Sequence, residues 1–170
     1  HFQYHASIAV FALIGAGLEL EQLERELARL HLGPLELSVK PTRIQSIAAV
    51  TFTVGAAASQ PYRHLADLEE VLERSTLPDT DTALANKVFR RLAEAEAKVH
   101  GIAPEQVHFH EVGALDTIVD VVGAVIALRL LGISRVCCSP LPLGRGFVRC
   151  EHGTLPLPAP AVCTLLQGVP

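Results

Sequence analysis

A chain of 170 residues is one domain or one and a half by length, and is long enough to bury a real core. With 49% apolar residues, a net charge of −4 and no basic tract, it offers no electrostatic surface for nucleic acid or for anionic lipid. The longest apolar run, Ile118 to Leu131, is interrupted by Asp120 and Arg129 and is too short to span a bilayer, so the expectation is a soluble, cytoplasmic protein with no membrane or nucleic-acid partner.

From the start, Ala6 to Ala16 is apolar and small and ends at Gly17, the pattern of a buried helix with a glycine stop. Leu20, Leu23, Leu27 and Leu30 follow at helical spacing with charges between them, completing a helical hairpin. Leu35, Leu37 and Val39 then alternate with polar residues, as do Val50, Phe52 and Val54, which predicts two strands joined through Pro41 to Gln45. Gly55 to Pro61 has no periodicity and marks a connection, dividing the chain into an N-terminal part, 1–58, and a core part, 59–170.

Leu65, Leu68, Val71 and Leu72 make a helical stripe that stops before Pro78. A longer helix starts near Asp79 or Asp81, whose carboxylate can cap it, and runs to Val99 and His100 at the negative pole of its dipole. The apolar helix after Ala114 ends at Gly132, and Val136 to Ser139 reads as an interior strand closed by Pro140 and Pro142. Gly144-Arg145-Gly146 is a basic turn, Phe147 to Cys150 a further strand, and Pro160 opens a last short helix, Ala161 to Gln167. The alternation of strands and long helices predicts an α/β or α+β fold with a layered sheet. Cys137, Cys138, Cys150 and Cys163 are expected as reduced thiols, with burial as small hydrophobes as their non-functional reading. No methionine occurs at any position, so a trimmed start is expected, and no secretory pattern is visible.

Ionisable chemistry concentrates between Val107 and Gly123. In an extended 107–111 segment His108 and His110 share one face, with Val107, Phe109 and Glu111 on the other. In the helix that follows, Asp116 and Asp120 are four apart and share a face among Ile118, Val119, Val121 and Val122. Two carboxylates at this spacing repel by roughly 0.2–0.5 kcal/mol even on an exposed helix, so a compensating charge is expected. Neighbouring imidazoles favour a cation of the zinc, nickel, iron or manganese type. The alternative is that His110 and Glu111 cap the helix and the aspartates pair with arginines. Further on, Cys150 and His152 fall on one face if the strand continues, a spacing that suits a soft or borderline metal, a nucleophile and base pair, or chance.

The stretch Val107 to Gly123, the run Ser139-Pro-Leu-Pro-Leu-Gly-Arg-Gly-Phe-Val-Arg-Cys-Glu-His-Gly-Thr-Leu-Pro-Leu-Pro-Ala-Pro-Ala161 and the run from Arg90 to Gly101 resemble the LarC nickel-insertion proteins. The resemblance covers roughly residues 62 to 170. It implies a nickel insertase, a cyclometallase of the lyase class, that places Ni(II) in a pyridinium-3,5-bisthiocarboxylic acid mononucleotide to form the nickel-pincer cofactor. It also implies CTP, with a divalent Mg or Mn, bound in a C-terminal domain outside this sequence, and a homo-oligomeric assembly is expected. The N-terminal third departs from the family: where members carry a Gly-Ile-Ser-Gly-Asp-Met turn this chain has Gln3-Tyr-His-Ala-Ser-Ile8, and only His64 stands where a histidine-rich linker is frequent.

With that resemblance, His108, His110, Asp116 and Asp120 are the expected nickel-holding residues and Glu111 and Asp116 the expected catalytic groups, Glu111 serving as base or as support for a ligand. Arg145, Arg149 and His152 are expected to face the anionic mononucleotide, and Cys150 is a candidate soft ligand. Two other functions fit the same residues: a non-catalytic metal-binding or assembly module, and a metal-dependent nucleotide hydrolase.

Overall fold

The computed structural model describes residues 8–44, 46–56, 64–109, 115–150 and 153–169. Its elements are α1 (Ile8–Gly15), α2 (Leu20–Ala28), β1 (Leu35–Ile44), β2 (Ile47–Ala56), α3 (Leu65–Arg74), α4 (Asp79–His100), α5 (Leu115–Leu130), β3 (Phe147–Cys150), β4 (Gly153–Pro156) and α6 (Pro160–Leu165), with a 3-10 turn at Pro104–Gln106. The mixed α/β class is as expected, and the strands form two antiparallel hairpins, β1 with β2 and β3 with β4.

The chain turns between the first two helices where glycine allows it, with Gly17 at φ 108° after α1, and α1 and α2 each pack on α5 more than on one another. On α2 the leucine spacing becomes burial: Leu23 and Leu27 are fully enclosed while the charged residues face outward. In the first sheet, Leu35 lies opposite Ala56 and Ile44 opposite Ile47, and Leu37 and Phe52 turn inward to the core. The connection is tighter and later than the sequence suggested. β1 runs straight through Pro41, opposite Val50, and the chain reverses beside Ser46 at φ 68°. A two-stranded ladder leaves an unpaired outer edge on each strand, where proline's missing N–H has no bond to lose.

Helix α4 is the spine, in contact with α3, α5, α6 and the 3-10 turn. Its buried face is Asp81, Ala85, Phe89, Ala93 and Ala97 at four-residue steps, joined by Ala95. Gly101 in the left-handed region (φ 67°, ψ 32°) ends it, its N–H donating to the Ala97 carbonyl. The expected cap does not form at either aspartate. Pro78 occupies the N-cap position, and Asp81, 3% exposed, turns inward to accept a 2.7 Å hydrogen bond from Nε of Arg129 on α5. Arg129 also reaches Glu26 of α2, which accepts in turn from Arg29 at 3.1 Å, so one charge network ties α2, α4 and α5. Burial alone would lower the Arg129 pKa, but hydrogen bonds and charge from Asp81 and Glu26 hold it above its ordinary value.

Helix α5 is apolar on nearly every side because it is covered on nearly every side: α1, α2 and α4 all pack on it, and Ile118, Val119, Val122 and Ile126 are fully enclosed. Buried residues from both sides of the 58/59 division share one core. At Gly123 a β-carbon would sit 3.4 Å from Val10 of α1 and 3.8 Å from Leu23 of α2, so the missing side chain sets how closely three helices meet. Gly123→Leu is expected to cost about 1–3 kcal/mol by overpacking. Gly123→Ala, which regains helix propensity at ordinary contact distance, should be neutral or stabilising in thermal melts.

The final third departs most from expectation. Residues 133–145 form no strand, and Val136 is 71% exposed; the run Val136 to Cys138 is apolar, yet no described strand lies alongside for it to pair with. Cys137, Cys138 and Cys163 are free but exposed, not buried as small hydrophobes. Phe147–Cys150 is a strand as expected, and it turns back at once as a hairpin with Gly153–Pro156. Pro160 stands in the first turn of α6, which lies along α4. Among the described residues no helix is long and apolar enough to cross a membrane.

Candidate functional site

The segment leading to α5 is held by its hydrophobic residues. Val107 and Phe109 are 1% and 2% exposed, and the alternation between them leaves His108 on the outside, the face expected for an extended strand. What this face meets is residue 64. His64 and His108 form an antiparallel bridge between the entry to α3 and the entry to α5, and their ring centroids lie 3.6 Å apart at a 52° tilt.

His64 is fixed on two sides. Its backbone N–H donates to the Asp67 carboxylate at 2.7 Å, closing the first turn of α3, while Leu65 and Leu68 anchor that turn in the core. Its Nδ1 lies 3.1 Å from the Val107 carbonyl oxygen. A carbonyl only accepts, so Nδ1 carries the proton, and in the neutral ring Nε2 keeps its lone pair.

Downstream, Asp116 is the second residue of α5 and Asp120 lies one turn further on, half-buried among enclosed valines and isoleucine. His110, Glu111 and His152 lie outside the described residues, as do the side chains of Asp116 and Cys150. Among the described residues, no three His, Cys, Asp or Glu side chains converge closely enough to hold a metal ion.

The family model for nickel insertion proteins matches residues 6–170. The chain belongs to the nickel insertion protein family. It is 51% identical over 96% of its length to a putative nickel insertion protein of Geotalea daltonii, and 50% identical over 94% to one of Desulfotalea psychrophila. It is also 47% identical over 94% of its length to the pyridinium-3,5-bisthiocarboxylic acid mononucleotide nickel insertion protein of Desulfitobacterium hafniense. The chain spans only about two fifths of these relatives, 42%, 41% and 40% of their respective lengths. No solved structure matches it.

The remaining expected site residues lie on the segment after α5. Arg145 precedes Gly146, whose φ of 110° makes the turn, and Arg149 stands on β3 opposite Thr154; both guanidinium groups are exposed. Cys150 closes β3 opposite Gly153. The β3–β4 hairpin makes no extensive contact with α5 among the described elements, so packing does not press these arginines against the aspartates. Sequence reading named His64 only as the histidine left where the family's linker is histidine-rich and gave it no site role, because its pairing with a residue 44 positions away has no trace in local pattern.

Proposed function

We propose that this chain is the nickel-handling part of a nickel insertase whose product is the pincer complex of a pyridinium-3,5-bisthiocarboxylic acid mononucleotide. The single observation that supports it most is His108, an imidazole kept at the surface by the two buried residues on either side, in a family whose relatives are named for nickel insertion. Imidazole and carboxylate hold Ni(II) less tightly than thiolate does, so an ion so held can pass to sulfur.

In this reading nickel is a substrate. His108, His110, Asp116 and Asp120 receive it, and Arg145, Arg149 and His152 bind the anionic mononucleotide, with Cys150 available as a transient soft ligand. Insertion forms two Ni–S bonds and one Ni–C bond, breaks one ring C–H bond, leaves nickel divalent and delivers the proton to a base. Glu111 takes that proton, or Asp116 does so when Glu111 supports a ligand. The family resemblance, not any motif in this chain, is what assigns CTP and its Mg or Mn to the part of the relatives beyond it.

Titrating the protein with Ni(II) tests the ligand assignment. Changing His108 and His110 together to alanine should weaken binding at least tenfold, and unchanged affinity would remove both residues from the site. The chain's coverage of only about two fifths of its relatives favours a second reading, a carrier module whose partner region does the chemistry. Nickel binding without insertion into the mononucleotide by this chain would select that reading.

A further inference from the structure

We infer that His64 is a nickel ligand acting jointly with His108. The inference rests on the nickel-handling reading above and adds a residue from a different segment of the chain. The two imidazoles come from the entries of two helices and meet with centroids 3.6 Å apart. Each entry is fixed by enclosed apolar residues, Leu65 and Leu68 on one side and Val107 and Phe109 on the other.

The tautomer points the same way. Because Nδ1 of His64 donates to the Val107 carbonyl, the nitrogen left with a lone pair is Nε2. A second-nitrogen hydrogen bond to a backbone carbonyl is the usual partner of a metal-bound histidine, since it fixes the ring and raises its basicity. Here the carbonyl belongs to the residue before His108, so the bond that orients one ring also sets its distance from the other.

The present spacing is that of two tilted rings in contact. Imidazoles sharing one ion through bonds of about 2.0–2.1 Å hold their centroids roughly 4.5–5 Å apart. Binding therefore opens the pair by about an ångström, which exposed His108 can supply while His64 stays tethered. His64 adds an imidazole from another segment to the donors proposed above, and at transfer these nitrogen and oxygen donors give way to the sulfurs of the acceptor.

The test separates a ligand from a structural histidine. In His64→Asn, the amide nitrogen takes the place of Nδ1 and still donates to Val107, while Nε2 is gone. The expected result is at least a tenfold loss of Ni(II) affinity with an unchanged melting temperature. His108→Ala should lose a similar factor, and the double variant should lose less than the product of the two. In NMR spectra of the wild-type protein, Ni(II) should shift and broaden the ring resonances of both histidines. Wild-type affinity in His64→Asn beside weakened binding in His108→Ala would overturn this inference and leave the broader reading standing. Wild-type affinity in both variants would overturn this inference and remove His108 from the site, and no nickel binding by the unaltered protein would overturn the inference and the broader reading together.

Discussion

Phe89→Ala is expected to destabilise the protein by about 3–5 kcal/mol, the range for emptying the space of a buried aromatic ring. For a chain of this length that is a fall in melting temperature on the order of 10 °C. The physical reason lies in the composition of α4's inner face, where Ala85, Ala93, Ala95 and Ala97 surround a single large enclosed side chain. The alanines let neighbouring elements approach the α4 backbone, and Phe89 fills what they leave open. With alanine at 89 as well, no neighbour on the same face is large enough to swing into the gap. Phe89→Leu, which keeps most of the volume, should cost about 1 kcal/mol. A melting temperature for Phe89→Ala within about 2 °C of wild type would show that the helices collapse onto the cavity and that α4 does not depend on this ring.

What the sequence disclosed follows the range of the forces involved. Gly17, Gly101 and Gly132 stop helices because they accept positive φ, and Pro160 opens α6 because it needs no N–H partner there; both are decided within a few residues. The outward placement of His108 was equally legible, since a period of two around buried Val107 and Phe109 leaves it no other face. Val136 to Ser139 shows the limit. An apolar run has strand character only when another strand pairs with it, and local composition carries no information about whether one does. Asp81 marks the same limit among charged groups: three residues into a helix it looks like a cap, and only the fold brings it to Arg129, 48 positions on. The candidate site divides in the same way: pattern and family resemblance pointed to His108, whereas the contact of His64 with it is a long-range bridge that no sequence window contains.

Asp81→Ala is expected to cost about 2–3 kcal/mol, below the roughly 3–5 kcal/mol for breaking a fully buried ion pair. The discount has a structural origin: the Asp81 side chain is 4% exposed, but Arg129 is 34% exposed and keeps Glu26 and water as partners when the aspartate is gone. The cost is therefore not that of a stranded buried charge. It is the loss of one charge-assisted bond and of the link that fixes α5 to the first turn of α4. That link bears on the proposed site, because Arg129 lies in the last turn of the same helix whose first turns carry Asp116 and Asp120. Asp81→Asn, which retains an acceptor without the charge, should lose about 1–2 kcal/mol. A double-mutant cycle with Arg129→Met gives the decisive number. If the two side chains act as a pair, Arg129→Met costs less in the Asp81→Ala background than in the wild type, with a coupling of about 1–2 kcal/mol. Additive losses would mean that Asp81 stabilises α4 alone, and that α5 owes its position to its apolar contacts with α1, α2 and α4.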